Sequence, residues 1–227
     1  MNLTLELSKK FKNNISTNTK LSNYSWFNLG GPAEYFFKPE NKKQLIQFLN
    51  DNKKNKLQIT ILGAGSNTLI RDKGIKGVVI KLGSGFSEIN LIDKETIEVG
   101  AAALDRKIAN FAKDNGIGNL EFLSCIPGSI GGAVIMNSGC YGNDISKVLT
   151  SLKVINTSNC EEKEINLQEI DFFYRGTNLP KEFIITSVKL KGVNQSKDSI
   201  EKKQNNLIEQ KKQSQPSQIK TCGSTFK

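Results

Sequence analysis

The stretch Leu57-Gln58-Ile59-Thr60-Ile61-Leu62 runs directly into Gly63-Ala64-Gly65-Ser66-Asn67. The apolar and β-branched residues predict a short strand, and the glycines with small polar residues predict a tight turn at its end. Such a turn presents consecutive backbone N–H groups, which bind phosphate without a cation. The pattern is neither a P-loop nor a Rossmann fingerprint. Taken alone, it favours an ordinary tight turn over a phosphate site.

Regular elements lie on both sides of this turn. We predict strands at residues 33–39, 57–62, 78–82, 96–99, 149–156, 160–166 and 183–190, and helices at 42–52 and 104–115. Residues 191–218 are rich in lysine, glutamine and asparagine, and their thin apolar content predicts an exposed helix that starts a different domain. Short strands interleaved with few helices favour an α+β fold over a doubly wound sheet.

A second glycine-rich segment covers residues 127–142. Five glycines lie within fifteen residues there, among small and almost uncharged side chains. Because glycine inside folded structure costs backbone entropy, this density indicates the close approach of a bulky group. We therefore interpret the segment as a loop that lines a ligand site rather than as an irregular surface loop.

The composition excludes several kinds of chemistry. The 227 residues include no histidine, so neither a histidine-dependent nucleophile nor an imidazole metal ligand is available. Cys125, Cys140, Cys160 and Cys222 show no C-x-x-C pairing, and we predict no metal site. The mean hydropathy of −0.37, with no long apolar run and no signal-peptide core, predicts a soluble cytoplasmic protein with reduced thiols and no membrane contact.

The net charge of +10 is compatible with nucleic acid or with phosphorylated ligands. Only three of the 32 basic residues are arginines, however: Arg71, Arg106 and Arg175. The lysine excess indicates a compositional bias, and we predict no nucleic-acid partner. Arginine then marks positions that need its planar fork. Arg175 follows two phenylalanines and Tyr174, where a surface cation–π pair and an anion-binding role both fit.

The remaining charged groups have simpler interpretations. Asp105-Arg106-Lys107 is predicted to be surface charge on a helix, and Glu161-Glu162-Lys163-Glu164 a solvated hairpin rather than a catalytic carboxylate pair. The segment Cys222-Gly223-Ser224-Thr225-Phe226-Lys227 places a hydroxyl after a glycine and a cation three residues later. By itself, that segment does not indicate a particular function.

Taken in order, these segments resemble the family of UDP-N-acetylenolpyruvoylglucosamine reductases, also called UDP-N-acetylmuramate dehydrogenases. The similarity covers residues 28–33, 62–67, 70–74, 126–142, 174–175 and 215–227, which is nearly the whole chain. The resemblance implies a flavoprotein oxidoreductase of peptidoglycan synthesis, and hence of cell wall biogenesis, cell shape and cell division. It implies FAD as the cofactor, NADPH as the hydride source, and reduction of the enolpyruvyl nucleotide sugar to UDP-N-acetylmuramate.

The family's fold is an FAD-binding fold of the vanillyl-alcohol-oxidase type, in two α+β subdomains with a third domain over the substrate. On that basis we predict an N-terminal leader at 1–25, FAD-binding subdomains at 26–82 and 83–191, and the start of a substrate-binding domain at 192–227. The spacing between Tyr174-Arg175 and Gln215-Pro216 is similar to that of the loop-less, type II-like branch. Family members continue past Lys227 into a portion that carries a catalytic glutamate, so we expect a C-terminally truncated chain whose own activity is an open question. A monomer is expected.

The resemblance also implies roles for individual residues. Arg175 matches the arginine that stabilises enolate charge, and Ser224 matches the serine that protonates the enolate carbon. Tyr174, Lys212 and Lys227 match substrate-binding positions, with Lys212 at the diphosphate. The implied cofactor-binding residues are Gly63, Ala64, Gly65, Ser66, Asn67, Pro127, Gly128, Ser129, Gly131, Gly132, Gly139, Tyr141 and Gly142.

Three alternatives stay open at this point. The chain is compatible with another FAD-dependent oxidoreductase of the same fold, with an inactive FAD-binding fragment, or with a non-catalytic basic binding module. The last alternative predicts salt-sensitive nucleic-acid binding. It leaves the apolar glycine-rich segment unexplained.

Overall fold

A computed structural model describes Leu7 and residues 9–215 of the chain. The predictions for Ser224 and Lys227 therefore lie outside the described residues. Four α-helices lie wholly within the described part: α1 Lys42–Asn55, α2 Asp105–Asp114, α3 Ile130–Ile135 and α4 Lys197–Ser214. Leu7 and residues 9–11 are also helical. Short 3-10 helices cover Lys12–Asn14, Leu21–Tyr24, Ser84–Phe86, Glu121–Cys125, Ile145–Lys147 and Leu167–Glu169.

The strands form two main sheets and three small ribbons. Their bounds are β1 Ile15–Lys20, β2 Pro32–Phe37, β3 Ile59–Ile61, β4 Ile75–Ile80, β5 Ile89–Leu91, β6 Thr96–Gly100, β7 Ile117–Gly118, β8 Gly139–Cys140, β9 Asn143–Asp144, β10 Leu149–Asn156, β11 Glu162–Asn166, β12 Phe172–Phe173, β13 Gly176–Thr177, β14 Phe183–Lys191 and β15 Val193–Asn194.

The first sheet has the strand order β1-β2-β4-β3. Strands β2 and β3 both run parallel to β4, whereas β1 is antiparallel to β2. Helix α1 connects β2 to β3; it begins after Asn41, whose side chain accepts the Gln44 N–H. Its buried face packs on the sheet, where the rings of Phe37 and Phe48 stack with centroids 4.4 Å apart.

The second sheet has the strand order β11-β10-β14-β6-β5, and all its pairs are antiparallel. Helices α2 and α3 pack against it around a core that includes Ile108, Val134 and Val188. Ile155 and Ile184 of this sheet lie instead in the core cluster of the first sheet. The two sheets therefore share buried apolar contacts, and their loops meet at a common boundary.

The structure differs most clearly from the sequence prediction in two segments. The glycine-rich segment contains helix α3, which we predicted as loop because two of its six residues are glycines. Part of the predicted N-terminal leader is an edge strand, since Ile15–Lys20 pairs with β2 and Ile15 is buried. The predicted domain bounds stay a prediction.

Helix α4 is the polar helix that the lysine-rich segment predicted. It packs on α2 and on the 3-10 helix Glu121–Cys125 through buried Ile200 and through Gln204, whose amide donates to Asn110 Oδ1 at 2.9 Å. Lys203 lies 3.2 Å from the carboxylate of buried Glu121. In the region that the structure covers, helices are either too short or too polar to cross a membrane.

Candidate functional site

A cavity of about 2050 Å³ lies where the loops of the two sheets meet. Drug-sized ligands fill about 300–1,000 Å³, so this cavity has room for a dinucleotide together with a second ligand. Its wall contains every described residue that the sequence predicted for the site except Gly142: Gly63, Ala64, Gly65, Ser66, Asn67, Pro127, Gly128, Ser129, Gly131, Gly132, Gly139, Tyr141, Tyr174, Arg175 and Lys212.

The turn at residues 63–67 has the form of an anion nest. Gly65 has a φ of +75°, and a Cβ there would lie 1.8 Å from the Tyr24 carbonyl oxygen, so glycine is required. Among the described residues, the backbone N–H groups of residues 63–67 have no hydrogen-bond acceptor. Backbone donors without an intramolecular acceptor indicate a ligand with acceptor oxygens.

The glycine-rich segment forms the opposite wall. Gly132 lies on α3 at the cavity, and a Cβ there would have Ser129 Oγ at 3.7 Å as its nearest neighbour. The position is therefore open, and a side chain would occupy cavity space. Gly142 lies off the cavity wall, has a φ of +81°, and accepts a hydrogen bond from Lys147 through its carbonyl. Glycine at 132 thus keeps space for a ligand, whereas glycine at 142 serves the backbone of a turn.

Arg175 lies at the rim of the cavity, in the two-residue connection between β12 and β13. Its guanidinium donates to the carbonyls of Asn137 at 3.4 Å and Gly139 at 3.2 Å. The Cζ also lies 5.1 Å from the Tyr174 ring centroid. These contacts hold a cation at the cavity with donors to spare, because a guanidinium has five N–H groups. Arg175 has a φ of +59°, a conformation uncommon for a residue other than glycine.

Two lysines of α4 also reach the cavity wall. The ammonium of Lys211 donates to the Cys125 carbonyl at 2.5 Å, which fixes the end of the helix against the 3-10 helix Glu121–Cys125. Lys212 is exposed, and its ammonium lies 3.8 Å from the Glu209 carboxylate. The prediction named only Lys212, because the sequence of two adjacent lysines does not show which of them is held by a hydrogen bond.

Two thiols of the wall interact with each other. Hydrogen bonding from Cys140 is the largest effect on the Cys125 thiol and lowers its pKa to about 6. The same interaction raises the pKa of Cys140. Of the two thiols, Cys125 therefore ionises first, although it is a buried residue of the cavity wall. Residue spacing did not predict this pair, because Cys125 ends a 3-10 helix and Cys140 lies on β8, and only the tertiary fold brings them together.

Asp105 is a buried carboxyl in the wall, so the prediction that it is surface charge is wrong. It is 0% exposed, and within the described region neither of its oxygens has a hydrogen-bond partner. A Cβ on Gly128 would lie 2.6 Å from Asp105 Oδ2. Burial raises the pKa of Asp105 to about 8. The helix-start position of Asp105 is typical of exposed acidic residues, which is why the pattern misled the prediction.

Comparisons with known proteins agree with this geometry. Residues 33–164 match the family model described as an FAD binding domain. UDP-N-acetylenolpyruvoylglucosamine reductase from Pelagibacter ubique is 42% identical over 99% of this chain and 75% of that protein. The enzyme of the same name from Rickettsia bellii is 42% identical over 91% of this chain and 68% of that protein.

Solved structures show the same fold. The UDP-N-acetylenolpyruvylglucosamine reductase from Thermus caldophilus superposes with a TM-score of 0.78 and 29% identity, over 94% of this chain and 73% of that one. Cholesterol oxidase from Brevibacterium sterolicum shares the fold with a TM-score of 0.55 at 15% identity, over 75% of this chain and 36% of that one.

The fold and the cavity define an α+β flavoprotein with an FAD-binding domain, that is, a flavin-dependent oxidoreductase. Two features of the wall fit this cofactor: free backbone donors for its diphosphate at residues 63–67, and the open position of Gly132 on α3 for its bulk. The chain belongs to the family of UDP-N-acetylenolpyruvoylglucosamine reductases. The predicted family, fold class and FAD cofactor are thereby confirmed.

Proposed function

We propose that the protein reduces UDP-N-acetylenolpyruvoylglucosamine to UDP-N-acetylmuramate with NADPH, in cytoplasmic peptidoglycan precursor synthesis. One observation carries this proposal. A single cavity joins an anion nest and the open position of Gly132, which suit FAD, to a fixed arginine at its rim, which suits a carboxylate substrate. We further propose that the protein acts as a monomer.

When bound, FAD would supply the hydride chemistry for the carbon–carbon double bond of the substrate, with NADPH as the family's reductant. The residues of this chain do the remaining work. The nest at residues 63–67 and the wall at residues 127–132 would hold the cofactor, and the free backbone donors of the nest would bind its diphosphate. The large remaining volume receives the nucleotide sugar.

Arg175 stabilises negative charge on the substrate. Addition of hydride to one alkene carbon leaves an enolate next to the carboxylate, and a fixed guanidinium lowers the energy of that charge. The carbonyls of Asn137 and Gly139 hold the guanidinium in place. Tyr174 and Lys212 are proposed to contact the substrate, with Lys212 at its diphosphate.

The proton that completes the reaction is assigned to Ser224. Its hydroxyl would protonate the enolate carbon, which is basic enough to take a proton from so weak an acid. Lys227 is the remaining proposed substrate contact. Both residues follow from the family motif and lie outside the described residues.

The test is a steady-state assay of the purified protein with added FAD and NADPH. We expect NADPH oxidation that depends on UDP-N-acetylenolpyruvoylglucosamine, with UDP-N-acetylmuramate found by mass spectrometry. UDP-N-acetylglucosamine, which lacks the enolpyruvyl group, is the matched control and gives no turnover. FAD binding without turnover of the enolpyruvyl compound would contradict the proposed reaction and leave the flavin site intact.

A further inference from the structure

Three parallel strands of the first sheet end at one edge, beside the anion nest. Lys38 follows β2, Gly63 lies two residues after β3, and Lys81 follows β4. The ladder holds these ends in register: Leu62 N donates to Ile80 O and Lys81 N donates to Phe37 O, both at 2.9 Å. Ligands of open α/β sheets bind at the carboxyl ends of parallel strands. Lys38 and Lys81 both lie in the cavity wall at this edge.

Lys81 is a half-buried cation without a counter-charge. Its ammonium donates to the carbonyl of Gly63, the first residue of the nest. Among the described residues no carboxylate forms an ion pair with Lys81 or with Lys38. By contrast, the ammonium of Lys153, on the second sheet, lies 2.7 Å from the Glu98 carboxylate.

The surroundings of Lys81 disfavour its charge in the ligand-free protein. Burial is the larger cause and the positive charge of Lys38 the smaller one, and both lower the pKa of Lys81. A partly desolvated ammonium next to a second cation is unfavourable unless an anion joins them. An anion at this edge would contact the ammonium groups and the free N–H groups of residues 63–67 together.

We propose that Lys81, assisted by Lys38, is a cationic subsite that binds the diphosphate of the flavin nucleotide beside the nest. The inference rests on FAD being the cofactor and is independent of the nucleotide-sugar reaction. It adds a side-chain cation to a turn that the sequence predicted to bind phosphate without one. Phosphate is the required chemistry, because the flavin ring carries no comparable negative charge.

The test is equilibrium binding of FAD to Lys81→Met, which keeps the apolar stem and removes the charge. We expect Kd to rise about 10- to 100-fold, the range for a lost charge-assisted hydrogen bond. Lys81→Arg, which keeps the charge, retains most of the affinity. Lys76→Met is the matched control, since Lys76 is an exposed lysine of β4 outside the cavity wall, and it leaves Kd unchanged. Far-UV circular dichroism and the thermal midpoint show whether each variant is folded.

Fragments of FAD show which group of the cofactor Lys81 contacts. Lys81→Met leaves riboflavin binding unchanged and weakens ADP binding, because only ADP has the diphosphate. An unchanged Kd for FAD in folded Lys81→Met would overturn the subsite, as would equal losses for riboflavin and FAD. Weakened UDP binding with intact FAD binding would overturn it too, since Lys81 would then serve the nucleotide sugar. Absence of FAD binding in the unmodified protein would instead overturn the cofactor assignment itself.

Discussion

Gly63 faces Ser129 so closely that a Cβ on Gly63 would lie 2.8 Å from the Ser129 hydroxyl oxygen. The contact joins the nest of the first sheet to the glycine-rich segment on the second. Ser129 is buried, so its side chain has little room to move. The two walls of the flavin cavity are therefore closely packed against each other at Gly63 and Ser129.

Gly63→Ala should push the two walls apart. We expect a loss of about 1–3 kcal/mol in the free energy of unfolding, typical of overpacking, together with weaker FAD binding. Urea denaturation and FAD titration measure the two effects. Ser129→Ala removes the hydroxyl, so Gly63→Ala should cost much less in the Ser129→Ala background. Equal costs in both backgrounds would show that the clash is not the cause.

Asp105 should make the ligand-free protein less stable as the pH rises. Its pKa in the folded state is raised to about 8 from 3.8, so between these values the unfolded chain is ionised while the folded protein holds the proton. Stability then falls with rising pH by up to roughly 1.4 kcal/mol per pH unit, and levels off above about pH 8. Below pH 4 both states are protonated and the effect vanishes.

The variant Asp105→Asn removes this titration. We expect its free energy of unfolding, relative to the unmodified protein, to improve progressively from pH 5 to pH 8 in urea denaturation. Asp114→Asn is the control at the other end of the same helix. Hydrogen bonding to Lys197 lowers the pKa of Asp114, so its contribution is constant over that range. Parallel pH curves for Asp105→Asn and the unmodified protein would contradict the buried, unpartnered carboxyl.

Cys125 should react as a thiolate at unusually low pH. Because Cys140 lowers its pKa to about 6, the rate of alkylation by iodoacetamide should be half-maximal near pH 6 and level above pH 7. Peptide mass spectrometry follows the site, and bound FAD should slow the reaction. Cys140→Ala removes the donor and should move the midpoint upward. A midpoint that does not move would show that the hydrogen bond between the thiols is not the cause.

Arg175→Met should lower kcat by about 10²- to 10³-fold, the usual loss for one preorganised group that stabilises transition-state charge. FAD affinity should stay close to that of the unmodified protein, because the carbonyls that hold the guanidinium lie at the rim. Arg106→Met is the matched control, since Arg106 lies outside the main cavity wall. Steady-state kinetics with the enolpyruvyl nucleotide sugar measures the effect. An unchanged kcat would remove Arg175 from the chemistry.

Features of the site that depend on contiguous residues were predictable from the sequence, whereas features that depend on tertiary contacts were not. The turn was predicted because a strand and its glycines are contiguous, and Gly65 has a positive φ. Its role in binding FAD was an implication of the family resemblance, since the turn alone favoured an ordinary tight turn. Helix α3 was missed because its glycines lower helix propensity, whereas packing on the second sheet stabilises it. Burial of Asp105 and the isolation of Lys81 arise from tertiary contacts, which residue spacing does not report.

The fold class followed from the alternation of short strands and few helices. The pairing of those strands did not, because β14 joins β6 and β10 across long stretches of chain. The meeting of residues 63–67 with residues 127–132 in one cavity was inferred from family resemblance, and only the structure gives its geometry.

The most direct test of the central claim is an anaerobic single-turnover experiment on the purified protein with FAD, first reduced by one equivalent of NADPH. Flavin absorbance near 450 nm is followed after mixing with UDP-N-acetylenolpyruvoylglucosamine. We predict that the absorbance returns, with one equivalent of UDP-N-acetylmuramate formed, and that UDP-N-acetylglucosamine has no effect. A reduced flavin that stays reduced in the presence of the enolpyruvyl compound would contradict the account.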